Sequence, residues 1–333
     1  MQLNFTKMLF ITILIMSTLI TVSANNWLGM WMGLEINLMS FIPLISKNKN
    51  KKSSQGMMIY FLTQSIGSVL LLFSVLMSSL MFLSPNMNNE LMKIMIMISL
   101  MIKLGAAPFH FWLPEMMANL TWMECFILMS WQKIAPLTIL NNIIPNNWFL
   151  YLSVVASSLA GGVGGLNQTS LRKLLAYSSI NHLGWMMMFM SMSNVWYKYL
   201  LIYSLLLLMI CFMFNSKNIY FINQMVTATH SMTEKFSSTV LFLSLGGLPP
   251  FLGFLPKWMV IQSMIDSKMY MIMTVLMLSS LMTLFYYLRI MSSYILSYST
   301  LNKWFHNPSN IFMDYLFLLT NLMLPMSLTM GVF

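Results

Sequence analysis

The sequence has very few charged side chains. Only 7% of its 333 residues are Asp, Glu, Lys or Arg, whereas 58% are hydrophobic and the mean hydropathy is +0.75. A water-soluble domain carries about a quarter charged residues, so this composition excludes a chain whose surface is covered by water. Each membrane crossing needs roughly 20 apolar residues. The chain is therefore predicted to be an all-α polytopic membrane protein.

Cysteine is nearly absent as well. Cys125 and Cys211 lie in separate apolar segments, which excludes a disulfide framework, a zinc pattern and iron–sulfur spacing. The glycine cluster at 161–165 has the wrong spacing for a dinucleotide loop, and close helix contact explains it better. No catalytic triad, phosphate loop or metal-ligand cluster occurs. We therefore expect no cofactor or metal site on this chain.

Acidic residues are scarcer than basic ones, with 7 Asp and Glu against 17 Lys and Arg and a net charge of +10. The basic residues stand singly or in short loop clusters, with no aromatic-lined soluble fold around them, which excludes a nucleic-acid-binding domain. Such loop charge sets orientation in membrane proteins.

Apolar runs bounded by polar residues, glycine or proline predict eleven helices. They are expected at 3–22, 26–46, 57–83, 90–117, 121–140, 148–167, 171–192, 196–214, 236–265, 269–291 and 311–331. The first is expected to stay as a membrane span, although "VSAN" at 22–25 also resembles a signal-peptidase site.

Alternating spans place nearly all loop charge on one side of the membrane, which supports the number of spans. Lys198 and Lys268 fall on the other side. The basic side, which also holds the N-terminus and corresponds to the cytoplasm or mitochondrial matrix, carries Lys7, Lys47, Lys49, Lys51, Lys52, Arg172, Lys173, Lys217, Lys235, Arg289 and Lys303.

One motif occurs twice. "LGAAPFHFWLP" in the fourth predicted helix and "LGGLPPFLGFLP" in the ninth share L-G-x-x-P and a later L-P. This predicts two five-helix repeats, at 1–145 and 146–292, followed by a loop and a final helix at 293–333. An odd number of spans inverts the second repeat, as in transporters whose broken helices line a mid-membrane path. The residues expected to break the helices are Gly105, Pro108, Gly246, Gly247 and Pro249.

Four charges lie deep inside predicted spans, whereas Lys93 lies near a helix end and can extend toward the membrane surface. The four are Glu35, Lys103, Lys133 and Lys257. Each costs roughly 2.5 to 3.5 kcal/mol at the membrane centre on insertion scales. Their functional interpretation is a chain of titrating groups for a proton, since burial favours a neutral lysine and a nearby carboxylate favours a charged one. The alternative is a static Glu35–Lys103 ion pair and two satisfied polar groups. His182 is either a relay or a packing histidine, and His110 beside the first break is open to the same alternatives.

Several long motifs carry a resemblance to a known family. They are "MIKLGAAPFHFWLPE" at 101–115, "SWQKIAPL" at 130–137, "GLNQTSLRKLLAYSSINHLGWMMM" at 165–188 and "LSLGGLPPFLGFLPKW" at 243–258. Together with "WLGMWMGLEINLMSF" they resemble the antiporter-like subunit 2 family of respiratory NADH:ubiquinone oxidoreductase (complex I), in its animal mitochondrial form.

The resemblance implies a proton-translocating membrane subunit without a redox centre of its own. Quinone reduction elsewhere in the complex would drive protons past Glu35, Lys103, Lys133 and Lys257. It implies FMN, iron–sulfur clusters and ubiquinone on other subunits, membrane-arm subunits and lipid as partners, and internal water along the path. The location implied is the mitochondrial inner membrane, with the C-terminus in the intermembrane space. A stand-alone cation/proton antiporter and a structural membrane-arm subunit remain alternatives.

Overall fold

The computed structural model describes residues 5–46, 51–80, 88–143, 148–193, 195–228, 232–296 and 311–322. Within these ranges every regular element is a helix, and one isolated antiparallel bridge joins Ser170 to Phe221. The helices are α1 (Phe5–Ser23), α2 (Trp27–Ser46), α3 (Lys51–Leu80), α4 (Asn88–Leu104), α5 (Trp112–Asn119), α6 (Trp122–Met129), α7 (Trp131–Ile143), α8 (Trp148–Gly164), α9 (Leu171–Met192), α10 (Trp196–Lys217), α11 (Ile222–Ala228), α12 (Met232–Gly246), α13 (Phe254–Asp266), α14 (Tyr270–Leu296) and α15 (Ile311–Asn321).

The chain divides into two compact units, the first ending at Ser153 and the second beginning at Val154. Helices α1 to α7 belong to the first unit and α9 to α15 to the second, while α8 crosses the boundary. Among the described helices, α1, α2, α3, α10 and α14 are long and apolar enough to cross a membrane. Part of the final predicted helix, 323–331, lies outside the described residues.

Large apolar side chains cover the outside of the long helices. Met16 of α1, Val69 of α3 and Leu281 of α14 are each more than half exposed, at 61%, 66% and 61%. Exposed apolar surface of this extent is unfavourable in water and suits a lipid environment. Several charged side chains, among them Lys103, Lys133 and Lys257, are buried instead.

Two helical segments are interrupted beside a glycine with positive φ. Helix α4 ends at Leu104, Gly105 has φ of 69°, and α5 begins at Trp112. Helix α12 ends at Gly246, Gly247 has φ of 78°, and α13 begins at Phe254. A side chain at either glycine would be strained in this left-handed backbone region.

A third interruption separates α6 from α7 at Ser130. The prediction of one unbroken helix over 121–140 is wrong at this point, because Ser130 adopts φ −112° and ψ −71° and its hydroxyl donates to the Phe126 carbonyl at 2.6 Å. Neither glycine nor proline marks the position. Pro136 lies within α7 without ending it.

Candidate functional site

Lys103 is the penultimate residue of α4 and is buried, with 6% of its surface exposed. Its backbone carbonyl accepts a hydrogen bond of 3.1 Å from the Gln64 amide of α3. Helix α3 approaches closely here, because a Cβ at Gly67 would lie 3.0 Å from the Lys103 Cγ. The lysine stem is therefore held between two tightly packed helices.

Lys133 lies in the first turn of α7 and is 2% exposed. It lines the same internal cavity as Lys103. The space open to water-sized molecules is about 20 Å³, enough for about one water. The polar side chains that also line this cavity are those of Asn37, Tyr60, Gln64 and Gln132. The two lysines thus share a small chamber inside the first unit, and its lining is part polar and part apolar because leucines, Trp112 and Pro136 contribute as well.

A chain of hydrogen bonds crosses the wall of this chamber. The Tyr60 hydroxyl donates to Gln132 Oε1 at 3.2 Å, and Gln132 Nε2 donates to Asn37 Oδ1 at 2.9 Å. These residues belong to α3, α7 and α2, so the bonds fix three helices around the chamber. Gln132 directly precedes Lys133 and holds the start of α7 in position.

Glu35 is half-buried on α2 and acts electrostatically on Lys103. Within the described part of the chain, no ion pair of 4.0 Å or less joins the two. The carboxylate therefore influences the lysine through space and not through contact. Such an interaction persists over several ångströms in a medium of low dielectric constant.

The first interruption is stabilised by an indole. The Trp112 Nε1–H donates to the Ile102 carbonyl at 3.1 Å, and the same carbonyl accepts a hydrogen bond of 3.3 Å from the Gly105 N–H at the end of α4. His110 lies within the interruption, half-buried, with Nδ1 3.3 Å from the Pro108 carbonyl oxygen. It is absent from the lining of the Lys103–Lys133 cavity.

The second interruption is stabilised by a lysine. Lys257 of α13 is 4% exposed, and its Nζ donates to the Gly246 carbonyl at 2.7 Å. A Cβ at Gly247 would lie 2.8 to 3.0 Å from the last three side-chain atoms of Lys257. The Trp185 ring centroid is 6.0 Å from the ammonium nitrogen, close enough for a weak cation–π contact.

His182 lies in the middle of α9 and is 6% exposed. Its Nδ1 is 2.8 Å from the Tyr199 hydroxyl, and its ring centroid lies 4.7 Å from that of Tyr203. The histidine therefore belongs to a buried group of aromatic hydroxyls between α9 and α10.

Several basic residues that the sequence assigned to loops lie within helices, among them Lys51, Lys52, Lys198, Lys217 and Lys235. Lys217 was assigned to a loop, but it ends α10 and forms an ion pair of 3.0 Å with Glu234 of α12. Asp314 of α15 interacts with both charges and lies 3.2 Å from the Ser237 hydroxyl. No sequence signal links these residues, because they belong to three separate helices.

Arg289 near the end of α14 is exposed, and a terminal arginine in such a position is expected to extend toward the membrane surface. Its guanidinium donates to the backbone carbonyls of Leu166 and Gln168, the latter at 3.0 Å. It thereby fastens the loop before α9 to α14.

Comparison with known proteins identifies the family. The model of the NADH:quinone oxidoreductase/Mrp antiporter transmembrane family matches residues 24–283. NADH-ubiquinone oxidoreductase chain 2 of Locusta migratoria is 47% identical over 303 residues, covering 90% of this chain and 89% of that protein. The same protein of Anopheles gambiae is 48% identical over 306 residues, with coverage of 89% and 88%.

A solved structure also resembles the fold. In respiratory complex I from Thermus thermophilus with bound aureothin, one chain superimposes with a TM-score of 0.81 at 20% identity. The match covers 98% of this chain and 80% of that one. The resemblance read from the sequence motifs is confirmed by these matches.

Proposed function

The chain belongs to the NADH:quinone oxidoreductase/Mrp antiporter transmembrane family, and we propose that it is the antiporter-like, proton-translocating subunit of a respiratory NADH:ubiquinone oxidoreductase. The observation that carries this proposal is the partly polar cavity that Lys103 and Lys133 share. A static ion pair needs no such chamber, whereas proton transfer between two amines needs a hydrogen-bonded link of water or polar groups.

In this mechanism the Glu35 carboxylate keeps Lys103 protonated while the pair is undisturbed. A conformational or electrostatic change in a neighbouring subunit weakens the pair. The proton then passes from the Lys103 ammonium through water to the Lys133 amine, and it leaves the chain through Lys257. Gln132 and Tyr60 are suited to position that water, because hydrogen bonds fix their own side chains.

The energy required is modest. Moving one proton against 100 mV costs about 2.3 kcal/mol. One pKa unit corresponds to about 1.36 kcal/mol of differential interaction between protonation states, so a swing of about two units in a lysine is sufficient. Removing and restoring a nearby carboxylate produces swings of this size.

The setting follows from the family. We propose the mitochondrial inner membrane as the location, with the N-terminus in the matrix, the C-terminus in the intermembrane space and other membrane-arm subunits as partners. FMN, iron–sulfur clusters and ubiquinone belong to those other subunits, where quinone reduction supplies the driving force. The two five-helix repeats, with their inverted relationship, are part of the same proposal.

The test is Lys133→Gln in the assembled complex. Because glutamine cannot carry the proton, we expect fewer protons translocated per NADH oxidised in sealed vesicles. Lys93→Gln is the matched control, because Lys93 lies exposed near the start of α4. A ratio unchanged by Lys133→Gln, Lys103→Gln and Lys257→Gln together would leave a structural role as the better account.

A stand-alone cation/proton antiporter is the second candidate, since the matching family model also covers Mrp antiporters. Native electrophoresis of gently solubilised membranes distinguishes the two. Migration within a large respiratory assembly supports the proposal, and migration of the chain alone supports the antiporter.

A further inference from the structure

The second unit buries a group of hydroxyl side chains where α9, α10 and α14 meet. None of its members is more than 2% exposed. They are Ser178, Ser179, Tyr203, Tyr286 and Tyr287. We call this group the hydroxyl row.

Members of the row lie in contact with one another. The ring centroids of Tyr286 and Tyr287 are 4.8 Å apart, and the Ser178 hydroxyl is within interaction range of both phenol groups. Ser179 interacts in the same way with the Tyr203 hydroxyl. The two parts of the row are joined through Tyr203 and Tyr287, whose phenol groups interact electrostatically.

The phenol groups of Tyr286 and Tyr287 are buried without full satisfaction. Among the described residues, none offers either hydroxyl a hydrogen bond of good distance and angle. A buried hydroxyl without such a bond costs about 1–3 kcal/mol. A water bound beside the two phenol groups would remove this cost. The Ser178 and Ser179 hydroxyls donate to the Leu175 and Ala176 carbonyls at 2.8 and 2.7 Å, so each must rotate before it passes a proton to a neighbour.

The inner end of the row reaches the relay residues. The Tyr203 ring lies 4.7 Å from the ring of His182, whose Nδ1 is 2.8 Å from the Tyr199 hydroxyl. Trp185 follows His182 by one helical turn and lies beside the Lys257 ammonium. The row therefore ends one turn of α9 away from Lys257.

The outer end of the row lies one helical turn of α14 from an open cavity. The Tyr286 ring packs on Gly165, where an added Cβ would lie 2.6 Å from it, and Arg289 follows one turn later on the same face of α14. Arg289 lines a cavity of about 490 Å³ together with Gln168, Thr169, Phe221, Ile222 and Asn223. The loop at this cavity leads into Arg172 and Lys173, which belong to the basic side of the membrane.

We propose that the hydroxyl row conducts protons from the cavity on the basic side to His182. His182 then supplies the proton that Lys257 has lost. This inference rests on the proposed function and adds a second point of proton uptake, within the second unit. Each transfer moves one proton between a hydroxyl or water and the next acceptor, with no other bond made or broken. His182 accepts the proton on a ring nitrogen and releases one proton toward Lys257.

The alternative is that these tyrosines serve only to pack the helices. Tyr286→Phe with Tyr287→Phe separates the two, because phenylalanine keeps the ring and removes only the oxygen. Tyr177→Phe is the matched control, since Tyr177 is half-buried in α9 beside Ser178 and packs on Gly164. Lys257→Gln is the reference variant for loss of the relay.

The measurement is the number of protons translocated per NADH oxidised by the assembled complex in sealed vesicles. This ratio does not depend on the amount of complex present. We expect the double variant to lose as much of this ratio as Lys257→Gln, and Tyr177→Phe to match the parent. If Lys257→Gln lowers the ratio and the double variant does not, the hydroxyl row is refuted and the proposed function stands. If neither lowers it, the hydroxyl row is refuted, and the Lys133→Gln and Lys103→Gln variants decide whether the proposed function falls as well. The single variants give the same test where the double variant does not assemble.

Discussion

The Lys257 ammonium donates a hydrogen bond of 2.7 Å to the carbonyl of Gly246, the last residue of α12. The bond serves a backbone group that the end of the helix leaves without a partner. The Lys257 side chain thus has a structural role, as the cap of an interrupted helix, and a proposed functional role in the proton path. Substitutions can separate these roles.

Lys257→Leu is expected to destabilise the second unit more than Lys257→Gln. Leucine leaves the Gly246 carbonyl buried without a donor, at about 1–3 kcal/mol, whereas glutamine retains an N–H donor. Thermal unfolding of the assembled complex measures the difference. Equal losses in the two variants would mean that the bond to Gly246 contributes nothing to stability.

Gly247→Ala is expected to be harmful and Gly246→Ala to be tolerated. Gly247 has φ of 78°, which costs a residue with a Cβ about 1–2 kcal/mol, and the new methyl group would displace the Lys257 side chain. At Gly246 the nearest atom to an added Cβ lies at 3.6 Å, an ordinary contact. Assembly level and proton-to-electron ratio report the result, and similar behaviour of the two neighbours would contradict this account.

Gln132→Leu is expected to lower proton translocation and stability together. It removes the bonds to Asn37 and Tyr60, leaves the Asn37 oxygen without its donor at about 1–3 kcal/mol, and makes the wall of the chamber apolar. Gln262→Leu, at an exposed position of α13, is the control. A Gln132→Leu complex that pumps at the parental ratio would show that the chamber need not be polar.

Lys217→Met is expected to destabilise the packing of α15 against α10 and α12. The change leaves Glu234 and Asp314 as neighbouring carboxylates without the lysine between them, at a cost of about 1–3 kcal/mol or more. Limited proteolysis near the C-terminus and thermal unfolding both detect the loss. Lys268→Met, at an exposed position, is the control, and equal protease resistance of the two variants would count against a role for the ion pair.

Local sequence signals locate the features that depend on neighbouring residues. Glycine and proline occur at 105–108 and 246–249, and the helices end at Leu104 and Gly246. Each intramembrane charge stands out against an apolar background, so Lys103, Lys133 and Lys257 are visible without any structure. The family is equally recognisable, because its motifs are long.

Features that depend on distant residues were not predictable. The Gln132–Asn37 bond joins residues 95 positions apart, and the Lys217–Glu234 pair joins two helices whose charges look like loop charges. The interruption at Ser130 is hidden because serine is compatible with a helix and only its local backbone shows the break. Pro136, by contrast, lies within a helix that continues past it, as the predicted helix over 121–140 does at this position.

The Trp112 hydrogen bond at the first interruption does not depend on protonation, unlike the Lys257 bond at the second. An indole N–H has the same charge at every pH of interest, so its bond to the Ile102 carbonyl has constant strength. A bond from an ammonium group is roughly twice as strong as a neutral one, so the end of α12 is held more tightly when Lys257 is charged than when it is neutral. A change in the charge of Lys257 is therefore expected to change the stability of the end of α12, whereas the Trp112 bond at the first interruption does not depend on protonation.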